Sequence, residues 1–292
     1  MKLDLVYNPV AGSFRQDRLA ALRRAFEGHG WTVRLIPSAR NWLAVSDTPD
    51  LACIHGGDGT LRDAVQALGP LARKVPLCIA PSGTINLVAR ELGYPSDPAK
   101  LAARVTQAWQ AGEETWVRAP LYTLGDMPVV ACLSIGPDSH AVAHVSAPLK
   151  KRIGRLAYVV AMMRVMRRWP SGVMTVRGET IVGERFETEA GAIIASHGAL
   201  YAGPFRLSPK AALAADGVEL ISLHRSSRLA TLAFVCAAML RLPLDRLGLA
   251  EIRTVHRAEF DRCVSPVQVD GDHIPDCAYA IGPSGLTLRY VV

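Results

Sequence analysis

Short apolar runs that end in glycine or polar turns, and then open into helix-period segments, organise the first hundred or so residues. Leu51-Ala52-Cys53-Ile54 leads into Gly56-Gly57-Asp58-Gly59-Thr60 and then into 61–68, where apolar residues recur at helical spacing. Residues 75–80 lead into Pro81-Ser82-Gly83-Thr84-Ile85-Asn86 and a helical 87–92. Residues 3–7 lead into Asn8-Pro9-Val10-Ala11-Gly12-Ser13, followed by a helix over 15–27 with Leu19, Leu22 and Phe26 on one face. A strand over 31–36 and a helix over 98–109, capped by Ser96 or Asp97, complete the series. This alternation predicts an open α/β sheet whose three turns gather at the carboxyl edge, where ligands bind.

The rhythm changes around residues 112–120. Beyond it lie short β-like runs at 116–117, 121–123, 129–133, 173–176, 192–196, 218–223, 267–269 and 286–291, interrupted by helices over 156–168 and 228–240. The pattern predicts two domains, an α/β nucleotide-binding domain over 1–119 and a mainly β domain over 120–292. A chain of 292 residues is consistent with two domains.

The strand–glycine–helix arrangement at 56–60 is one in which backbone N–H groups and a helix N-terminus meet a phosphate. Glycines there allow close backbone approach and positive φ. Asp58 opposes an anion, which suits a metal ion to be held or a proton to be abstracted. The same residues also satisfy a plain glycine-rich turn with an N-capping Asp or Thr.

Half of the residues are hydrophobic and 20% are charged, which fits packed domains rather than disorder. Residues 1–7 lack the apolar stretch of a secretory signal, and the uncharged run 229–240 is shorter than the ~20 residues a bilayer requires. The six cysteines form no C-x-x-C pair, and a reducing, cytoplasmic setting is expected. His140 and His144 stand four apart, the spacing of two metal ligands on a helix or of an ordinary surface pair.

A net charge of +7 is concentrated partly in Lys150, Lys151, Arg152, Arg155, Arg164, Arg167 and Arg168. Leu149, Ile153, Leu156, Val160 and Met163 recur between them at helical spacing, so 147–169 reads as an amphipathic helix with basic ends. Its apolar stripe either faces the core or meets a membrane with anionic headgroups. No aromatic platform or base-reading motif accompanies the charge, so nucleic acid is not an expected partner.

These segments together resemble the diacylglycerol kinase catalytic-domain family of lipid kinases, which includes bacterial diacylglycerol and phosphatidylglycerol kinases, sphingosine kinases and ceramide kinases. The resemblance rests on Asn8-Pro9 with Gly12, Gly56 to Thr60, Gly83-Thr84 with Asn86, Gly136 with Asp138, Pro209 with Asp216-Gly217, and Asp270-Gly271-Asp272, in the family's order. The first glycine loop is shared with NAD kinases and phosphofructokinases. The second loop and the late Asp-Gly pairs are what point to lipid kinases.

The resemblance implies an NAD kinase/phosphofructokinase-like first domain, a β-rich lipid-substrate domain, and a chain end that returns toward the first domain. It implies ATP and Mg²⁺ as cofactors, a membrane lipid as substrate, and peripheral contact with the inner membrane face; a homodimer is compatible with it. Asn8, Pro9, Gly12, Ser38, Gly56, Gly57, Asp58, Gly59, Thr60, Asp63, Gly83, Thr84 and Asn86 would border the nucleotide. Asp216, with the carbonyls of Leu213 and Val218, would hold magnesium. The acceptor's proton would pass to Asp272, Asp270 or Asp58, a choice the sequence leaves open. Two other functions stay open: an NAD kinase-like enzyme for a soluble acceptor, and a nucleotide-binding regulator without turnover.

Overall fold

The computed structural model describes the chain except for residues 12–13, 39–41, 43–47, 146–155, 171, 225–226, 262–264 and 276–278. Two compact units are present: Met1–Leu121 with Gly285–Val292, and Tyr122–Ser284.

In the first unit, β1 (Lys2–Tyr7), α1 (Gln16–Gly28), β2 (Thr32–Pro37), β3 (Leu51–Gly56), α2 (Asp58–Leu68), β4 (Leu77–Pro81), α3 (Leu87–Glu91) and α4 (Pro98–Ala111) follow one another. Strands β2, β1, β3 and β4 lie side by side and parallel. β3 and β4 are buried along their whole length, as parallel strands covered on both faces must be. Leu19, Leu22 and Phe26 are the buried face of α1. The side chain of Asp97 accepts from the N–H of Lys100, 2.9 Å away, and so fixes the start of α4 ahead of Pro98.

The chain end is built into this unit. Tyr290 pairs with Leu77 in parallel, Val291 N donates to the Leu77 carbonyl, and Tyr94 Oη donates to the Val291 carbonyl at 2.7 Å.

The remaining elements are β5 (Val117–Leu124), β6 (Met127–Val129), β7 (Cys132–Ile135), α5 (Pro137–Ala143), α6 (Leu156–Arg167), β8 (Met174–Thr180), β9 (Arg185–Ala190), β10 (Ala192–Ser196), β11 (Val218–Leu223), α7 (Arg228–Met239), β12 (Glu251–Phe260), β13 (Val267–Val269), β14 (Asp272–Ile274) and β15 (Ala280–Tyr290). β14, β13, β7, β10, β11 and β12 pair in that order, all antiparallel, and β12 also pairs with β8. The second unit's largest buried cluster draws on these strands, among them Leu133, Ile193, Leu220, Val255 and Val269.

Several sequence expectations are corrected here. The single strand expected over 129–133 is two, because the amides of Val130, Ala131 and Cys132 are bonded to the Asp270 side chain. β9, β12, β14 and α5 were not foreseen. β9 alternates exposed and half-buried residues and has few apolar positions to mark it. For the apolar stripe on α6, which the sequence left facing either the core or a membrane, the structure shows the outward placement: Leu156 is 63% and Met163 65% exposed, whereas Ala157, Ala161 and Val165 are buried. Small residues let that other face pack closely. Lys150, Lys151, Arg152, Arg155, Leu149 and Ile153 lie outside the described residues.

Candidate active site

β3 and β4 are neighbours, so the turns that follow them are neighbours too. The two turns touch backbone to backbone. A β-carbon on Gly83 would stand 2.6 Å from the Gly57 Cα and 2.6 Å from Asn86 Oδ1. Ser82 N and Gly83 N both donate to the Gly56 carbonyl, at 3.0 and 3.3 Å. A β-carbon on Gly56 would collide with the Thr60 side chain. The expected reason for these glycines is therefore half corrected: Gly57 has φ −104°, and close approach, not positive φ, requires them.

Asp58 opens α2 and is only 8% exposed. Its Oδ2 accepts from Leu87 N at 2.8 Å and its Oδ1 from Val88 N at 3.1 Å. The carboxylate thus answers the positive end of α3, where unpaired N–H groups favour an anion. A third role, tying the two turns together, joins the metal and proton roles read from sequence.

Asn86 reaches the left-handed region, φ +55° and ψ +60°, which Asn tolerates better than most residues. Its Nδ2 donates to the Gly83 carbonyl, while Oδ1 is buried without a hydrogen-bond partner among the described residues. The N-cap of α2 is Gly57, so no side chain caps that helix end. An orphaned acceptor, an uncapped helix N-terminus and two turns with no room for a β-carbon are thus brought together at the ends of β3 and β4.

The other nucleotide candidates are distributed around these turns. Asn8 Oδ1 accepts from Val10 N at 3.0 Å, forming a local turn with Pro9 after β1. Ser38 follows β2 with φ +99°, and its N–H donates to the Tyr7 carbonyl. Asp63 lies 3.6 Å from the buried Arg62. Gly59 and Thr60 are in the first turn of α2, and Thr84 is in the bend between β4 and α3. Gly12 lies outside the described residues.

Two residues here escaped the sequence reading. Arg18 on α1 donates to the carbonyls of Pro81 and Ser96, at 2.7 and 2.8 Å, and steadies the second turn. His55 is buried just before Gly56, and burial pushes its pKa down. Neither stands in a motif, and only its place next to a turn marks it out.

In the second unit, Asp270 and Gly271 form the two-residue loop of the β13–β14 hairpin. Both have positive φ, +53° and +83°, as the tight hairpin turn demands. The Asp270 carboxylate accepts from Val130 N, Ala131 N and Cys132 N, at 3.1, 2.8 and 3.1 Å, while Asp270 N donates to the Cys132 carbonyl. Three backbone donors occupy lone pairs that would otherwise accept a proton. Asp272 opens β14 and is half-buried, whereas Asp270 is 7% exposed.

Further buried polar groups surround β7. Ser134 Oγ and Tyr201 Oη both donate to Asp138, whose carboxyl burial pushes up despite those bonds. Gly136 combines φ +144° with no space for a side chain, since a β-carbon would meet that of Ala192 at 2.6 Å. His197 is buried, and burial pushes its pKa down to about 4.

The magnesium candidates lie between Ser208 and β11. Asp216 is exposed, Leu213 is buried, and Gly217 N donates to Tyr122 Oη at 2.9 Å. Among the described residues no group of three or more His, Cys, Asp or Glu could hold a metal, and this includes His140 and His144. One carboxylate with two carbonyls is an all-oxygen set, the donor type a hard cation takes.

Residues 2–112 match the model of the diacylglycerol kinase catalytic domain. This part of the chain is similar to that catalytic domain. Over 104 residues the chain is 36% identical to a Pseudomonas putida protein named "Probable lipid kinase YegS-like", covering 36% of this chain and 33% of that one. The match therefore spans about a third of that relative's length.

Solved structures are similar over the whole chain. A diacylglycerol kinase from Bacillus anthracis superposes with a TM-score of 0.72 at 18% identity, covering 99% of this chain and 96% of that one. An NAD kinase from Archaeoglobus fulgidus in complex with ATP gives 0.54 at 13% identity, covering 100% and 94%. The fold is thus that of the diacylglycerol and NAD kinases, an α/β first part and a mainly β second part, as the sequence predicted.

Proposed function

We propose that this chain is an ATP-dependent lipid kinase that moves the γ-phosphoryl group of ATP to a hydroxyl of a membrane lipid such as diacylglycerol. The observation that carries this reading is the pair of interlocked glycine turns, Gly57 against Gly83, within the residues that match the catalytic domain. Phosphoryl transfer needs positioning and charge stabilisation more than covalent help from the protein. The uncapped start of α2, Thr60, Thr84 and Asn86 would hold phosphate oxygens, with Asn8, Ser38 and Asp63 bordering the nucleotide. Magnesium, when bound, supplies positive charge to the phosphates or to the fold; Asp216 with the carbonyls of Leu213 and Val218 would be its ligands.

Asp58 and Asp270 are each bonded to backbone amides, so both serve first to hold loops in place. Asp272 is the proton acceptor in this reading. Geometry and accessibility come before pKa in such an assignment.

Membrane contact is supported by α6. Leu156, Val159 and Met163 are exposed on it, and Arg164, Arg167 and Arg168 close it. Exposed apolar residues beside cations are the composition of a peripheral lipid-binding surface. No helix among the described residues is long and apolar enough to cross a membrane.

The test is transfer of labelled phosphate from ATP across a total lipid extract, with NAD as a soluble acceptor in parallel. Label extracted into organic solvent supports the lipid kinase. Label on NAD would replace it with the soluble-acceptor enzyme, and ATP binding without transfer would replace it with the regulator.

A further inference from the structure

The second unit has a cavity of about 400 Å³ lined by His140, His144, Arg164, Val165, Arg167 and Arg168. α5 and α6 form it, held together below by Ala141, Ala161 and Val165. Among the described residues, five of the six that line it are basic and none is acidic. The three guanidinium groups stay charged at any physiological pH.

Nothing described nearby answers this charge. Arg164, Arg167 and Arg168 form no ion pair among the described residues, and Asp138, whose charge reaches His140, already accepts from Ser134 and Tyr201. Residues 146–155, in the connection between the two helices, include four basic residues and no acidic one in their sequence. A helix C-terminus favours a cation, but its partial charge is only about −0.5. Three arginines exceed that several-fold.

We propose that this cavity is a binding site for a phosphate monoester, carried either by a lipid headgroup or by a small soluble molecule. Guanidinium groups bind phosphate oxygens in pairs through charge-assisted hydrogen bonds, and a monoester has the oxygens and the charge to engage more than one of them. The histidines come from α5 and the residue that follows it; His140 Nε2 meets Ser265 Oγ and His144 Nδ1 meets the His140 carbonyl, which leaves the second ring nitrogen of each for a ligand. The volume is within the ordinary range for a small-molecule site. The residues are distinct from the glycine turns and from Asp270 and Asp272, so the proposal does not depend on the kinase reading.

The experiment uses the full chain. Inorganic phosphate is titrated while the imidazole resonances of His140 and His144 are followed, and vesicles of phosphatidylcholine with phosphatidic acid are compared with vesicles matched in charge by phosphatidylglycerol. Saturable histidine shifts with phosphate identify a soluble source; preference for phosphatidic acid identifies a headgroup source. In either arm Arg164→Gln with Arg168→Gln should weaken binding by about tenfold or more, as loss of charge-assisted bonds implies. Both arginines are exposed, so the fold should tolerate the change, and His144→Gln provides a second, milder variant. Histidine shifts that never saturate, together with equal binding to the two vesicle types, would overturn the proposal. Binding insensitive to the arginine variant would overturn it too.

Discussion

The Asp58 carboxylate accepts the N–H of Leu87 at 2.8 Å, joining the start of α2 to the start of α3 across 29 residues of sequence. With Val88 on the other oxygen, one side chain satisfies two backbone donors that the short helix cannot satisfy itself. Asp58→Ala should therefore do more than affect turnover. It should cost about 1–3 kcal/mol in urea unfolding, since buried donors are left without acceptors, and it should weaken ATP binding. An unchanged unfolding midpoint with normal ATP affinity would show that the link is dispensable.

Gly83→Ala tests the contact between the turns. The new methyl group would meet the Gly57 backbone, which cannot swing aside as a side chain could. The expected cost is about 1–3 kcal/mol from overpacking, with ATP affinity falling alongside. Gly28→Ala is the control. Nothing lies within 4 Å of that position and its φ is not positive, so stability should hold or rise by roughly half a kcal/mol. Equal behaviour of the two variants in ATP titration would remove the steric argument.

His197 gives the second unit a pH response. Its folded pKa, about 4, is below the unfolded value of roughly 6.5 because the ring is buried. As pH falls below 6.5 the unfolded chain gains a proton that the folded chain does not. Stability is full above that value and declines through the interval down to about 4. The loss from this group approaches 3 kcal/mol at the acid end. Asp138, raised by burial, acts oppositely there, because its folded form takes up a proton first. Urea midpoints measured from pH 7 to pH 5 should fall, and His197→Phe should flatten the slope. A slope unchanged by that substitution would assign it to other groups, such as His55 or His140, whose pKa values burial also lowers.

The outward stripe of α6 makes a separate prediction. Leu156→Asp with Met163→Asp should reduce co-sedimentation with anionic vesicles, while the free energy of unfolding changes by less than about 0.5 kcal/mol, as with exposed substitutions generally. Attraction through the neighbouring arginines should also weaken with salt. Vesicle binding that survives both changes would give α6 no part in membrane contact.

The α/β half was legible because its strands are continuous apolar runs and its turns are punctuated by glycine, so position followed from pattern. What pattern could not show was why each polar residue is there. Asp58 and Asp270 both appeared as acids awaiting a metal or a proton, yet each binds amides brought from far along the chain, 29 and about 139 residues away. Sequence periodicity carries no record of such pairings. The core face of α6 went unseen for a related reason: alanines make a good packing face but a faint hydrophobic signal, so Leu156 and Met163 dominated the pattern from the solvent side.

Asp270 and Asp272 can be separated by what each loses. Asp270→Asn replaces one of the two oxygens that accept from three buried amides with an NH₂ group, and should cost on the order of 2–4 kcal/mol. Any fall in its turnover should accompany a fall in its unfolding midpoint. Asp272 is half-buried at the start of a three-residue strand, so Asp272→Asn should change stability little. If it takes the acceptor's proton, turnover should drop by about 10²–10⁴-fold while ATP affinity stays near that of the unmodified chain. Asp272→Glu keeps a carboxylate and should retain most of the activity. A stable Asp272→Asn with normal turnover would return the base to Asp58 or Asp270. Between these, the acid whose Asn variant loses turnover without losing stability would be the acceptor, because a purely structural carboxylate cannot separate the two effects.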